Sequence, residues 1–234
     1  IFEYIYFARP DSVFDGVSVY KARIQAGRFL AVDSPVEADL VVGVPESGNA
    51  AALGYAMESG IPYGTAFVKN SYVGRTFIKP KQSSRESAVR IKLNVLKEAV
   101  AGKRVIMIDD SIVRGTQLGE TTEFLYQSGA REVHIRPACP PLLFGCKYLN
   151  FSRSNSDLDL ITRRIIRERE GDHVSAELLA DYADPDSQNY KEMVEEIRRR
   201  LNFTSLKFHR LDDLIESIGL PREKLCTYCW DGKE

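Results

Sequence analysis

Long hydrophobic runs are missing from this 234-residue sequence: no apolar stretch approaches the length that spans a bilayer, and no signal peptide is visible. A large excess of positive or negative charge is missing as well. With a net charge of −1, the chain has no overall positive field that would draw it to nucleic acid or to an anionic membrane. These absences predict a soluble, cytoplasmic protein that binds neither nucleic acid nor a membrane.

Hydrophobic residues make up 44% of the sequence, which is enough to form the buried core of one large domain. The first residue is Ile1 rather than methionine, and the apolar residues 1–7 are predicted to form a core strand. We therefore expect the chain to be a piece of a longer protein.

Strand-like and helix-like segments alternate along the first 136 residues. Short apolar strands are predicted at 39–45, 61–68, 104–108 and 132–136, and helices at 17–31, 48–59, 84–101 and 116–128. This alternation is typical of an α/β fold, in which a parallel, twisted sheet is flanked by helices. Later in the chain, charged helices are expected at 156–170 and 187–201, then a short strand and helix within 206–220. We predict a first domain over 1–150 and a helical extension over 151–234, whose terminal CxxC segment packs back on the first domain.

The most informative segment is VIMIDDSIVRGT, residues 105–116. A short buried strand ends in Asp109 and Asp110, and a loop containing Ser111, Gly115 and Thr116 leads into a helix. The N–H groups of such a loop and the helix dipole suit a phosphate, while paired carboxylates suit a ribose diol or a divalent metal. A bland alternative is open, because Gly/Ser turns are common in α/β proteins and acidic residues also cap helices. The phosphate loop of NTPases is excluded, because GxxxxGK[ST] does not occur.

The same segment resembles the phosphoribosyl pyrophosphate (PRPP) signature of type I phosphoribosyltransferases, and its form IDDSIVRGT is similar to that of the amidophosphoribosyltransferase family. Three further stretches resemble that family in the same order: EYIYFARPDS (3–12), VVGVPESG (41–48) and FVKNSYVGRTFI (67–78). Together the matches span most of residues 1–146, with a looser similarity near 203–229.

The resemblance implies a type I phosphoribosyltransferase fold with a PRPP site. The loop after Asp110 would bind the 5-phosphate, and Asp109 with Asp110 would bind the ribose hydroxyls. Mg²⁺ would be bound by Ser47, Asp109 and Asp110, although the residues alone favour a helix N-cap role for Ser47. The PRPP-binding residues that the resemblance implies are Glu46, Ser47, Gly48, Asp109, Asp110, Ser111, Ile112, Val113, Arg114, Gly115, Thr116 and Lys92.

The basic, glycine-containing segment from Lys69 to Arg85 resembles the family's flexible loop, which orders over bound PRPP. Closure of such a lid would keep water away from an oxocarbenium-like C1. Arg75, inside the matched YVGRTFI, is implied as a catalytic residue together with Asp109 and Asp110. A solvated loop charge is the alternative for each cation. The implied loop contacts are Lys69, Tyr72, Arg75, Phe77, Ile78 and Lys79.

Four cysteines are present, at positions 139, 146, 226 and 229. By spacing alone they are compatible with a zinc or iron–sulfur site, and a CxxC pair is also compatible with redox chemistry or with no function. One branch of the resembled family binds a [4Fe–4S] cluster. The resemblance assigns Cys146, Cys226 and Cys229 as three ligands, with a fourth expected upstream of Ile1. Zinc is the second candidate metal, and Cys139 is expected to be a buried thiol or a substitute fourth ligand.

The resemblance implies formation of 5-phosphoribosylamine and pyrophosphate from PRPP and ammonia, the first step of de novo purine biosynthesis. In that family a glutaminase domain of the same chain supplies the ammonia, and purine nucleotides are feedback inhibitors. A homo-oligomer is expected. Two alternatives stay open: a base-using phosphoribosyltransferase, and a PRPP-binding regulator without catalysis. The 79 residues between Cys146 and Cys226 exceed our expectation for the cluster-bearing branch, so no nucleotide site is assigned to individual residues.

Overall fold

The structure is a computed structural model that describes residues 1–69, 93–148 and 157–233. Within these ranges no helix combines the length and the apolar character needed to cross a membrane. Six of the residues implied in PRPP binding or in the flexible loop lie outside the described ranges: Tyr72, Arg75, Phe77, Ile78, Lys79 and Lys92.

The N-terminal segment is a single turn of π-helix at Glu3–Phe7, so the predicted core strand over residues 1–7 is wrong. Tyr4 and Ile5 are buried whereas Tyr6 and Phe7 are exposed, which is the pattern of one helical face rather than of alternating strand positions. The elements that follow are β1 (Val13–Phe14), β2 (Val17–Ser18), α1 (Val19–Asp33), β3 (Leu40–Gly43), α2 (Gly48–Ser59) and β4 (Phe67–Lys69).

The remaining elements carry the central strand and the C-terminal helices. They are β5 (Leu93–Val95), α3 (Lys97–Val100), β6 (Arg104–Asp109), α4 (Thr116–Gln127), β7 (Glu132–Pro137), α5 (Ile161–Glu170), α6 (Ala176–Ala183), α7 (Gln188–Arg200), β8 (Ser205–Leu206), α8 (Leu211–Ile218) and α9 (Tyr228–Asp231).

The central sheet is parallel and has the strand order β3-β6-β7-β8 among the described residues. The predicted α/β fold, a parallel sheet flanked by helices, is therefore confirmed. Strand β8 comes from the part of the chain beyond residue 150, and its Leu206 pairs with Ile135 of β7. The part of the chain beyond residue 150 thus contributes a strand to the central sheet as well as helices.

Side chains that alternate along the strands divide the core into two layers. Val41, Ile106 and Ile108 point to one face, where they pack with Leu30 of α1 and Tyr55 of α2. The residues between them point to the other face and pack against α4, α5 and α7. This second, larger layer includes Val42, Met107, Ile135, Leu125, Ile165 and Ile197, all of them fully buried. Because both faces are covered, β3 and residues 105–108 of β6 are apolar throughout, as expected for a parallel sheet, whereas β7 also contains the buried polar residues His134 and Arg136.

A two-stranded sheet, separate from the central one, replaces part of a predicted helix. Residues 93–95 form β5, which pairs antiparallel with β4 in the register Phe67↔Val95. The helix predicted over 84–101 is therefore wrong for residues 93–96. Its last turn is present as α3, whereas its residues 84–92 lie outside the described ranges. The strand predicted over 61–68 is also shorter, since before Phe67 only Tyr63 forms a bridge, to Val41.

Candidate active site at the carboxyl ends of β3 and β6

Two loops meet where adjacent parallel strands end. Gly43 at the end of β3 pairs with Ile108 near the end of β6, so the segments that follow the two strands begin side by side. The first contains Glu46 and Ser47, and the second contains Asp110. Ligands of open α/β sheets bind at this edge, because the loops that leave the strands there form a crevice.

Asp110 joins the two loops through both oxygens of its carboxylate. The hydroxyl of Ser47 donates to Oδ1 of Asp110, and the hydroxyl of Ser111 donates to Oδ2, each at 2.6 Å. The N–H of Asp110 in turn donates to Oδ1 of Asp109 at 2.9 Å. Ser47 makes no side-chain cap on α2, so its hydroxyl serves the carboxylate instead of the helix end. Four of the residues implied in metal and sugar binding are thus brought together.

The approach of the first loop to β6 requires a glycine. A Cβ on Gly48 would lie 2.3 Å from the carbonyl oxygen of Ile108, far inside van der Waals contact, so any larger residue would push the loop away from the carboxylates. The Pro45–Glu46 peptide bond of this loop is cis. The loop also reaches the start of the predicted lid, because Glu46 forms an ion pair with Lys69 at 3.2 Å.

The second loop offers unused backbone donors. Its last residue, Gly115, has φ +80° and forms the N-cap of α4, which has no side-chain cap. The N–H groups of residues 111–115 donate no hydrogen bond to any residue of the described ranges. Consecutive free amides ahead of a helix of 12 residues form a concave site with partial positive charge, which suits a phosphate.

The paired carboxylates are electrostatically unfavourable without a cation. Burial, and after it the neighbouring charge of Asp110, raises the pKa of Asp109 well above its ordinary value. A divalent cation relieves such repulsion, and Mg²⁺ is commonly held by one or two carboxylates together with water and substrate phosphates. Asp109, Asp110 and the Ser47 hydroxyl therefore fit this ion by their chemistry.

Arg23 is a residue near the site that the sequence interpretation did not single out. It is buried in α1, where its guanidinium donates to the carbonyl oxygens of Tyr4 at 2.7 Å and Ala8 at 2.9 Å. Burial lowers the pKa of Arg23, and the charge of Asp110 opposes that shift, so the guanidinium and the carboxylate interact. The available signal was its position in the helix, because Arg23 shares the buried face with Ala26 at the i, i+3 spacing.

Cys146, Cys226 and Cys229 lie close together in space, next to the amino group of Ile1. Cys229 is hydrogen-bonded to Cys146 and interacts electrostatically with Cys226, and the amino group of Ile1 interacts with all three. Burial and the two neighbouring cysteines raise the pKa of Cys229 to about 12, against the opposing effect of the amino group. No group of three or more His, Cys, Asp or Glu side chains in the described part of the chain is spaced to hold a metal ion. The three thiols are therefore neighbours without forming a complete metal site in the described part of the chain. Cys139 is fully buried in the same apolar cluster as Cys146 and Cys229, and burial, the charge of Asp110 and the nearby Cys229 raise the pKa of its thiol.

Comparisons with known proteins show what the chain is similar to. No family model matches the sequence. Two curated relatives, the amidophosphoribosyltransferases of Mycobacterium tuberculosis and Archaeoglobus fulgidus, are 44% and 46% identical to it, and the alignments cover all of this chain. Over its whole length, the chain is similar to one part of an amidophosphoribosyltransferase. It covers 40% and 45% of the lengths of these two relatives, so it corresponds to less than half of such a protein.

Solved structures of the family agree with the fold. An allosteric regulatory enzyme of purine biosynthesis and the glutamine PRPP amidotransferase of B. subtilis, complexed with ADP and GMP, each superpose with a TM-score of 0.78. They are 39% and 40% identical to this chain over 99% of its length, which covers 44% and 46% of theirs. The type I phosphoribosyltransferase fold expected from the amidophosphoribosyltransferase resemblance is confirmed.

Proposed function

We propose that this chain is the phosphoribosyltransferase part of an amidophosphoribosyltransferase, which forms 5-phosphoribosylamine and pyrophosphate from PRPP and ammonia. The observation that supports this best is the junction at Asp110, where hydroxyls from two loops meet one carboxylate beside five backbone N–H groups that have no acceptor among the described residues. In a member of this family, that junction provides donors for phosphates and acceptors for a sugar diol at one edge of the sheet.

Each part of PRPP has a binding group in this proposal. The amides of residues 111–115 and the N-terminus of α4 hold the 5-phosphate, and the carboxylates of Asp109 and Asp110 accept hydrogen bonds from the ribose hydroxyls. The segment Glu46–Gly48 holds the pyrophosphate. Mg²⁺ bound by Ser47, Asp109 and Asp110 would neutralise charge on the leaving group.

The reaction requires no nucleophile from the protein. The lone pair of ammonia forms the C1–N bond while the bond from C1 to the pyrophosphate oxygen breaks, and the nitrogen then passes one proton to the departing pyrophosphate. The site has to stabilise the developing charge and exclude water. Lys69, now paired with Glu46, stands where the lid begins and adds a cation beside the pyrophosphate segment. Arg75 and the other lid residues, including Tyr72, Phe77, Ile78 and Lys79, complete the cover in this proposal.

The proposed enzyme also has an ammonia source, inhibitors and a second metal site. Because the relatives are longer, we infer that a glutaminase domain supplies ammonia from glutamine and that purine nucleotides inhibit the enzyme. A homo-oligomer and a cytoplasmic location are also proposed. A [4Fe–4S] cluster on Cys146, Cys226 and Cys229, or zinc as the second candidate, needs a further ligand, because the described residues do not provide a complete site. No chemical step depends on it.

The proposal is tested by pyrophosphate release from PRPP and Mg²⁺ with ammonium chloride, glutamine or free purine bases as the acceptor. Release with ammonium but not with bases is expected. Asp109→Asn should lower this activity by about 100-fold or more, because it weakens both diol and cation contacts. Asp39→Asn, at the amino end of β3, is the matched control and should retain activity. Release that depends on a base, or normal turnover of Asp109→Asn, would contradict the proposal.

A further inference from the structure

The phosphate-facing loop is held from behind by the start of α5. The N–H of Ile161 donates to the carbonyl oxygen of Val113 at 2.8 Å, and the guanidinium of Arg164 donates to the carbonyl oxygen of Arg114 at 2.7 Å. The side chain of Arg114 completes the contact by an ion pair with Asp159, also at 2.7 Å. Two successive carbonyl groups of the loop are thus fixed by residues about 50 positions later in the chain.

Apolar packing fixes the same loop at its other end. A Cβ added to Gly115 would lie 2.9 Å from the side chains of both Ile161 and Leu201, so the loop lies directly against the start of α5 and the residue after α7. Helix α5 is itself anchored, because Ile165 is fully buried and the hydroxyl of Thr162 donates to the carbonyl oxygen of Leu142. The loop is therefore held against a helix that is itself packed into the core.

These contacts determine where the backbone donors point. A peptide unit is planar and trans, so its C=O and N–H groups point in opposite directions. Fixing the carbonyls of Val113 and Arg114 on the α5 side therefore turns the N–H groups of the next two residues away from it. The amides of residues 111–115 donate to no acceptor in the described ranges, so no hydrogen bond of their own sets the direction of these N–H groups.

We propose that Arg164 and Asp159 are positioning residues that orient the loop amides for the 5-phosphate of the substrate. This inference rests on the proposed function and extends it to a part of the chain that carries none of the residues implied in PRPP binding. Arg164 is exposed, and the hydrogen bond of its guanidinium goes to the phosphate-facing loop rather than to the pyrophosphate segment, so its effect should be confined to the phosphate of the sugar.

The test compares binding of ribose 5-phosphate with binding of Mg²⁺-pyrophosphate by calorimetry. Arg164→Ala should weaken ribose 5-phosphate about 3- to 10-fold and leave pyrophosphate unchanged, and Arg164→Lys, which keeps a donor, should restore part of the loss. Arg167→Ala is the matched control, because Arg167 lies on the same helix and pairs with Asp172 away from the loop. It should bind both ligands normally.

Asp159→Asn separates positioning from simple attraction of charge. If only long-range electrostatics mattered, removal of this negative charge would tighten binding of an anion. The positioning role predicts the opposite, about 2- to 5-fold weaker ribose 5-phosphate, since the Arg114 ion pair is lost. Normal ribose 5-phosphate binding by Arg164→Ala, or equal loss of both ligands, would overturn this inference alone. A wild-type chain that binds neither ligand would overturn the proposed function as well.

Discussion

Replacement of Asp109 by asparagine should stabilise the free protein while it removes function. The substitution keeps the shape of the side chain and the oxygen that accepts the N–H of Asp110, so only a charge is lost. That charge is half-buried and adjacent to a second carboxylate, and both effects raise the pKa of Asp109. Since the site is partly open to solvent, we expect a gain of about 1 kcal/mol at pH 8, or on the order of 2–4 °C in the melting temperature.

The pH dependence gives this prediction its sign. The folded-state pKa of Asp109 lies above its unfolded value, so the stability associated with the protonated group is present at low pH and is lost as pH rises through the folded pKa. The difference between variant and wild type should therefore grow from pH 4 to pH 8 in urea or thermal unfolding without Mg²⁺. Asp39→Asn is a control of opposite sign, because Arg104 lowers the pKa of Asp39 to about 2. A variant that is less stable than wild type at pH 8, or a difference that does not change with pH, would refute the reasoning.

Two further substitutions test the loop junction. Gly48→Ala places a methyl group against the carbonyl of Ile108, so Mg²⁺-pyrophosphate binding, measured by calorimetry, should weaken at least 10-fold. Gly145→Ala is the control and should bind normally, because the nearest atom to its added Cβ, in the side chain of Asp157, is 3.4 Å away. Ser47→Ala removes the hydroxyl that donates to Asp110 and should raise the Mg²⁺ concentration needed for half-maximal PRPP binding about 3- to 10-fold, by fluorescence titration; an unchanged requirement would exclude this hydroxyl from the cation site.

The central strand and its loop could be predicted from local sequence. Residues 105–108 are consecutively apolar, and two acids and a Gly/Ser loop follow them directly, so the strand, the turn and α4 are all encoded within about 20 neighbouring residues. The arrangement of two loops at one edge also follows from the strand order of a parallel sheet. What the resemblance added was the expected ligand of this loop, PRPP.

The incorrect secondary-structure predictions concern segments whose structure depends on contacts with residues distant in the sequence. Residues 93–95 have helical periodicity, yet they form a strand because β4 lies beside them, and no local pattern reveals that partner. The segment Glu3–Phe7 is apolar enough for a strand, but Arg23 of α1 binds the carbonyl of Tyr4 within it and that of Ala8 directly after it. The contact between Arg114 and Asp159 joins residues 45 positions apart. Such pairings depend on the tertiary fold, and single-sequence periodicity contains no information about them.

The most direct test of the account is whether the backbone amides after Asp110 bind the phosphate of the sugar. Amide resonances of residues 111–115 should be followed by ¹H–¹⁵N NMR while ribose 5-phosphate is added to the Mg²⁺-containing chain. Large, saturable downfield shifts at these amides, with little change at the exposed residues of α7, are the predicted result. Binding of ribose 5-phosphate that leaves all five amides unchanged would contradict it.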